Sequence, residues 1–168
     1  MPDARHFSAL PCPLWRRLLA LVYDLLIVVA LVMVVGLLCQ LATGGRLIST
    51  GGAHAVVPPW YQALQGVVVA AYFISSWRRG GQTLGMRPWR IGVCRTDGGT
   101  LSLRQAFVRA LVAAAPLLLL ALAPLLGLHA VLWTMLLAWA LWLAPALFDP
   151  RRRALHDLAA GTELHRLG

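Results

Sequence analysis

The chain is short of charge, and shortest of negative charge. Charged residues occupy 12% of its 168 positions, and Asp plus Glu number 6 against 15 Lys plus Arg. Soluble globular proteins carry about 25% charged residues. With 60% hydrophobic residues and a mean hydropathy of +0.73, this shortage excludes an ordinary soluble domain and indicates an integral membrane protein. Lysine is missing altogether, so arginine carries the net charge of +9. Cysteine is limited to Cys12, Cys39 and Cys94, with no CxxC spacing, which excludes a disulfide framework and leaves three free thiols expected. The chain also lacks a P-loop pattern and any nucleophile-base-orienter set, so neither a cofactor nor an enzymatic reaction is expected.

What the chain has in quantity is long apolar runs. Leu18 to Leu41 and Trp60 to Trp77 each read as one membrane span. Ala106 to Phe148 is too long for one crossing at about 20 residues per span. Pro124, Gly127 and His129 supply turn chemistry, which divides the block into helices over 106–125 and 129–148. Pro116 is expected to kink the third helix without ending it. The first run exceeds a signal-peptide core of about 7 to 15 residues. Cys39 lacks the small preceding residue of a lipoprotein site, so a retained helix is expected. The sequence therefore reads as one all-α domain over 1–168, a four-helix membrane bundle.

Arginine placement sets the expected orientation. Arg5, Arg16 and Arg17 precede the first span; Arg78, Arg79, Arg87, Arg90, Arg95, Arg104 and Arg109 lie between or at the edges of the second and third; Arg151, Arg152, Arg153 and Arg166 follow the fourth. Only Arg46 falls on the other side. The positive-inside rule then places both termini in the cytoplasm of a multi-pass inner-membrane protein. Topology and anionic lipid headgroups account for the positive charge without nucleic acid.

The connections differ in character. Ala42 to Pro59, rich in glycine and ending in Pro58-Pro59, reads as an irregular loop. Trp89 to Val93, the turn Thr96-Asp97-Gly98-Gly99 and Thr100 to Leu103 suggest a small hairpin. Ser102 is an expected N-cap for the third helix. Asp149-Pro150 should end the fourth, leaving Arg151 to His165 as a short amphipathic segment at the interface.

Asp24 is the one acidic side chain inside a long apolar run. Such a carboxylate costs about 2.5 to 3.5 kcal/mol to insert, so a partner or a function is expected. Arg17 lies two turns before it, about 10.5 Å along nearly the same face. Matched depths bring Tyr72, Ser75, Ser76 and Arg109 toward its level. Tyr61, Gln65, Tyr72 and Ser76 form one stripe of hydrogen-bonding groups on the second span, which should face the bundle interior or a wet cavity. Two readings stand: a fixed salt bridge from Asp24 to Arg109 or Arg17, or a titrating proton or cation site whose affinity those arginines set. Tyr72 and Gln65 also fit plain interhelical hydrogen bonds. His156, Asp157, Asp149 and His165 lack a compact ligand pattern, so no metal is expected; capping and pairing with Arg151 to Arg153 suits the aspartates better. Ala106, Ala110 and Ala114 form a small-residue face suited to helix packing.

Taken in order, the run Arg17 to Asp24, the loop Gly81-Gln82-Thr83-Leu84-Gly85-Met86, the turn Asp97-Gly98, Arg109, and Leu155-His156-Asp157 followed by Gly161-Thr162 resemble the RDD family. These are small bacterial membrane proteins named for one arginine and two aspartates, and the resemblance runs from Arg16 to Thr162. It implies a small helical membrane bundle, with the arginine and first aspartate at Arg17 and Asp24 and the second at Asp157 rather than Asp149. Gly81, Thr83, Gly85, Asp97, Gly98, His156 and Asp157 carry its motifs. Transport of an unidentified ligand has been suggested for the family, and some members are similar to proteins linked to sodium/proton exchange. The expected function is transport, cation or proton coupled; the alternative is a non-catalytic membrane assembly factor that contacts lipid or a partner protein. Four helices make a small pathway, so a transporter of this size is expected to be a homo-oligomer.

Overall fold

The computed structural model describes residues 7–51 and 54–167, with side chains placed for 12–48 and 57–167. The chain is mostly helical. Helix α1 spans Leu14–Ala42, 29 residues entered through the extended Pro13. At 1.5 Å per residue it is about 43 Å long, more than enough for a hydrocarbon core of about 30 Å. Its buried residues are Arg17, Ala20 and Asp24 alone. Nearly all of its apolar surface therefore points outward, and the little it buries is mostly charged.

Thr43 closes α1, its hydroxyl donating to Cys39 O at 2.9 Å. The following connection is more regular than its glycines suggest. Strand β2, Ser49–Gly51, pairs antiparallel with β3, His54–Val56. Helix α2, Pro59–Gly80, then returns along α1 with proline at its first position, where a missing N–H costs nothing. The antiparallel packing is visible in three contacts. The Gln65 amide donates to Val32 O at 3.1 Å and to Tyr61 Oη at 2.6 Å. Tyr72 reaches Asp24. A side chain at Gly36 would meet the Tyr61 hydroxyl at 2.7 Å. The polar stripe of α2 thus faces α1, as its spacing implies.

The third helical stretch changes form along its length. Helix α3, Leu103–Ala114, starts at Ser102, whose hydroxyl accepts from Gln105 N while Gln105 Oε1 accepts from Ser102 N, a reciprocal capping box. A 3-10 stretch over Ala115–Leu122 and a short α4, Ala123–Leu126, continue it. Pro116 is the cause: without an N–H it leaves Val112 O for Ala115 N and for the Trp142 indole, which donates at 2.9 Å. Trp139 donates to Ala113 O at 3.1 Å. Both indoles belong to α5, Leu128–Leu143, which turns back after Gly127 at φ +82 and runs on through α6, Pro145–Phe148. The expected kink is thus a local tightening, and the tryptophans of the returning helix satisfy the carbonyls beside it.

Three of these stretches are long and apolar enough to cross a membrane: Leu14–Ala42, Leu103–Leu126 and Leu128–Phe148. Helix α2 has the length but, with its polar stripe, not the apolarity. Lipid explains exposures that water would not tolerate, among them Phe148 at 86%, Leu125 at 81% and Leu118 at 78%.

The well-packed core lies at one end of the helices. Strand β1, Phe7–Pro11, β4, Ile91–Arg95, and β5, Thr162–Leu167, form a sheet of order β1-β5-β4, antiparallel throughout. Its inner face, with Ile91, Val93 and Leu164, packs on Cys12, Ala20, Trp77, Met86, Leu101 and Ala106. Two expectations are corrected here. Ile91–Arg95 pairs with the C-terminal strand, not with Thr100 to Leu103. Arg151 to His165 is not a single amphipathic segment lying at the interface: it contains α7, Leu155–Ala160, and runs into β5 within the sheet. Local turn chemistry at Asp97 to Gly99 is as expected, with Gly98 at φ +81 and Gly99 N donating to Asp97 Oδ1. The strand it follows simply finds a better apolar partner at long range.

Candidate functional site: two buried aspartates

Both aspartates of the site are gripped by several chain segments, by opposite means. Asp24, 3% exposed, is bonded among the described residues by neutral donors. The Tyr72 hydroxyl donates to Oδ1 at 2.8 Å, Gly85 N donates to the same oxygen at 3.0 Å, and the Thr83 hydroxyl donates to Oδ2 at 2.5 Å. The donors are themselves held: Leu84 N donates to Tyr72 Oη at 3.1 Å and Met86 N to Thr83 Oγ1 at 3.3 Å. Among the described residues no arginine pairs with Asp24. The expected Asp24 salt bridge to Arg109 or Arg17 is therefore corrected.

Sequence explains the grip. Gly81 caps α2 at φ +65, where any side chain would also strike Val93 O at 2.7 Å. The chain then turns back toward α1. Gly85 comes so close that a Cβ would lie 2.6 Å from Ala20 O and 2.7 Å from Asp24 Cγ. Only glycine brings its N–H to the carboxylate there. Trp89 completes the dock, its ring edge-on to Trp15 and Tyr23 and its carbonyl accepting from Arg16 Nη1 at 3.0 Å.

Asp157 is bonded by cations. The Arg17 guanidinium donates to Oδ2 at 3.1 Å, Arg109 Nη1 donates to Oδ1, and Ala154 N donates to Oδ2 at 2.9 Å. Arg109 also donates to Thr162 Oγ1 at 2.8 Å and lies over the Trp77 ring, 5.0 Å from its centre. The three charged groups are almost wholly buried. Two guanidiniums on one carboxylate leave the cluster one positive charge in excess. Burial alone would raise the Asp157 pKa, but Arg109, His156 and Arg17 together hold it below the usual carboxylate range. Burial, then Arg109, lowers His156 to about 4, so the imidazole beside the cluster is neutral at pH 7.

The site residues read from the sequence therefore divide. Asp24 and Tyr72 meet, and Arg17, Arg109 and Asp157 meet, but as two centres. Thr83 and Gly85, read only as motif positions, prove to be direct partners of Asp24. Thr162 and Trp77 were missed as partners of Arg109. Asp97 and Gly98 stay at an exposed turn, Asp97 pairing with Arg95 at 3.0 Å. Asp149 pairs with Arg153, as expected, and that arginine holds its pKa down at about 2. Asp157 does not pair with the Arg151 to Arg153 run; its partners come from α1 and α3.

The hollow nearest the Asp24 loop has a volume of about 440 Å³ and is lined by Ser75, Ser76, Arg79, Gln82, Leu84 and Arg87. On the outer face of the sheet, Cys94, Glu163 and His165 converge.

No curated protein and no solved structure matches this chain. A model of the RDD family matches residues 11–161, which contain both aspartate centres and every helix. The chain belongs to the RDD family, an assignment that with its long apolar helices makes it a multi-pass membrane protein.

Proposed function

We propose that this protein is a non-enzymatic transport component of the bacterial inner membrane, with the basic end of its helices in the cytoplasm, and that Asp24 is the group that exchanges a proton or a small cation. The observation that supports this reading is the neutral surround of Asp24. A buried carboxylate held by two hydroxyls and one N–H has no countercharge of its own, so a proton or Na+ is favoured as the missing positive charge. Tyr72 and Thr83 hydroxyls serve either state, because each can donate to a carboxylate or turn and offer its oxygen to a cation. Arg17 and Arg109 act on this site only at a distance, through the Asp157 cluster on the same end of α1. A homo-oligomer would supply the remaining walls of a pathway that these few helices cannot enclose.

The test is ion flux in proteoliposomes under an imposed pH gradient. Wild-type protein is expected to move Na+, K+ or H+ above empty liposomes, and Asp24→Asn to abolish the flux while keeping its elution position and a cooperative melt within a few degrees of wild type. A folded Asn variant that transports normally, or a wild type that moves none of the three ions, overturns the proposal.

The second reading, a lipid-contacting assembly factor, draws support from the hollow bearing Arg79 and Arg87. Its signature would be a wild type that moves no ion above empty liposomes but retains anionic lipid in nanodiscs, with that retention lost in Arg79→Gln/Arg87→Gln.

A further inference from the structure

The outer face of the sheet carries a second kind of chemistry. Antiparallel pairing sets Cys94 directly opposite Glu163 and Gly92 opposite His165. Residues two apart on a strand share a face. Cys94, Glu163 and His165 are thereby on one side of the ladder, and Gly92 contributes no competing side chain. One ligand atom from each, the Cys94 sulfur, a Glu163 carboxylate oxygen and a His165 ring nitrogen, all lie within 4.8 Å of one another. His165 Nε2 stands 2.8 Å from Glu163 Oε1. Cys94 and Glu163 are buried and His165 is partly exposed, so the donors sit on a rigid hydrogen-bonded frame with one side reachable.

We propose that Cys94, Glu163 and His165 bind one zinc ion, with water completing a tetrahedron. Sulfur, nitrogen and oxygen donors together suit this borderline cation and not Mg2+ or Ca2+, which take oxygen alone. Zinc bonds of about 2.0 to 2.3 Å put tetrahedral donors about 3.5 Å apart, so the widest donor pair, at most 4.8 Å, closes by about 1 Å while His165 Nε2 and Glu163 Oε1, 2.8 Å apart, open by about 0.7 Å, shifts within side-chain reach. Arg151 Nη1, 3.6 Å from Glu163 Oε2, holds the carboxylate from its far side and leaves Oε1 toward His165. At present the Cys94 thiol rests against Glu163 O at 3.9 Å, a weak contact that metal binding would replace as the thiol loses its proton to solvent. A zinc here would clamp β4 to β5, and β5 also carries the Thr162 that holds Arg109.

The experiment uses the full chain, purified in detergent, stripped with chelator and dialysed against micromolar ZnCl2, then against CoCl2. About one zinc per chain is expected by elemental analysis, a rise in melting temperature, and with cobalt the intense ultraviolet thiolate-to-metal absorption. His165→Gln, at the partly exposed side of the cluster, should keep the fold and lose at least tenfold in affinity; Cys94→Ser should lose the thiolate band; Cys39→Ser should change neither. Zinc no higher than in buffer, or unchanged binding in both His165→Gln and Cys94→Ser, overturns the proposal.

Discussion

Asp24 and Asp157 are both buried, both contacted from distant segments and both at the same end of the molecule, yet their charges are handled in opposite ways. Asp157 receives two guanidiniums and a backbone N–H. Asp24 receives two hydroxyls and a backbone N–H. A carboxylate locked between arginines is a fixture, because neutralising it would strand two buried cations. A carboxylate surrounded by neutral groups can gain a positive partner without stranding a buried cation. One chain thus carries a carboxylate locked by cations and, about two helical turns along α1 from Arg17, another held by neutral donors alone.

The sharpest way to break this comparison is Asp157→Asn. It leaves Arg17 and Arg109 buried against an amide, and a loss of about 3–5 kcal/mol is expected. Thermal unfolding in detergent reads it directly, and a melting temperature near wild type would place the structural charge elsewhere.

Acid should find the same centre. The folded-state pKa of His156 is lowered from 6.5 to about 4. Its stabilising contribution is therefore full above pH 6.5 and is lost as pH falls from there toward 4, by up to about 3 kcal/mol. Melting temperature against pH should drop over that window in wild type and flatten in His156→Gln. Parallel curves for the two proteins would remove His156 as the cause.

Gly85→Ala tests the Asp24 side. The new methyl meets the backbone of α1 at Ala20 and Asp24, and the Asp24 carboxylate, which three hydrogen bonds hold in place. We expect a cost of about 1–3 kcal/mol together with loss of flux, as the loop is pushed off Asp24. Wild-type stability and flux would mean that the loop does not need this close approach.

The smallest expected effect is the most discriminating. Asp24→Asn keeps an acceptor for Tyr72 and Gly85, and its amide can donate to Thr83, so a stability change of about 1 kcal/mol is expected. Combined with Arg109→Gln it should be additive within about 0.5 kcal/mol, because the two residues share no bond. A coupling well above that would join the two centres into one.

Much of the outline was readable along the chain. The first helix was placed at Leu18 to Leu41 and runs Leu14–Ala42. The last was placed at 129–148 and runs through α5 and α6 to Phe148. Ser102 caps as read, since a cap is a contact across three residues. The stripe from Tyr61 to Tyr72 faces α1, since helical periodicity alone aligns it. What failed was pairing. Depth matching set Arg109 beside Asp24, but depth leaves rotation about each helix axis open. The C-terminal strand is hidden because Thr162–Leu167 is short and bears His165, Arg166 and Glu163 on a run whose partners are distant along the chain, in β4 and in β1.

Sequence by itself therefore determined what is set by composition and local period: a membrane protein, its long helices, its caps and turns, its family, and the fact that Asp24 needed partners. Tertiary structure alone decided which partners. Arg17 could have turned to either aspartate, and the choice fell to Asp157 because α7 and β5 fold back against the ends of α1 and α3. Asp24 was left to the loop whose Gly81 can turn and whose Gly85 can approach. A charge finds its counterpart through three-dimensional proximity, and proximity between segments as far apart as residues 17 and 157 is set by how the whole chain packs.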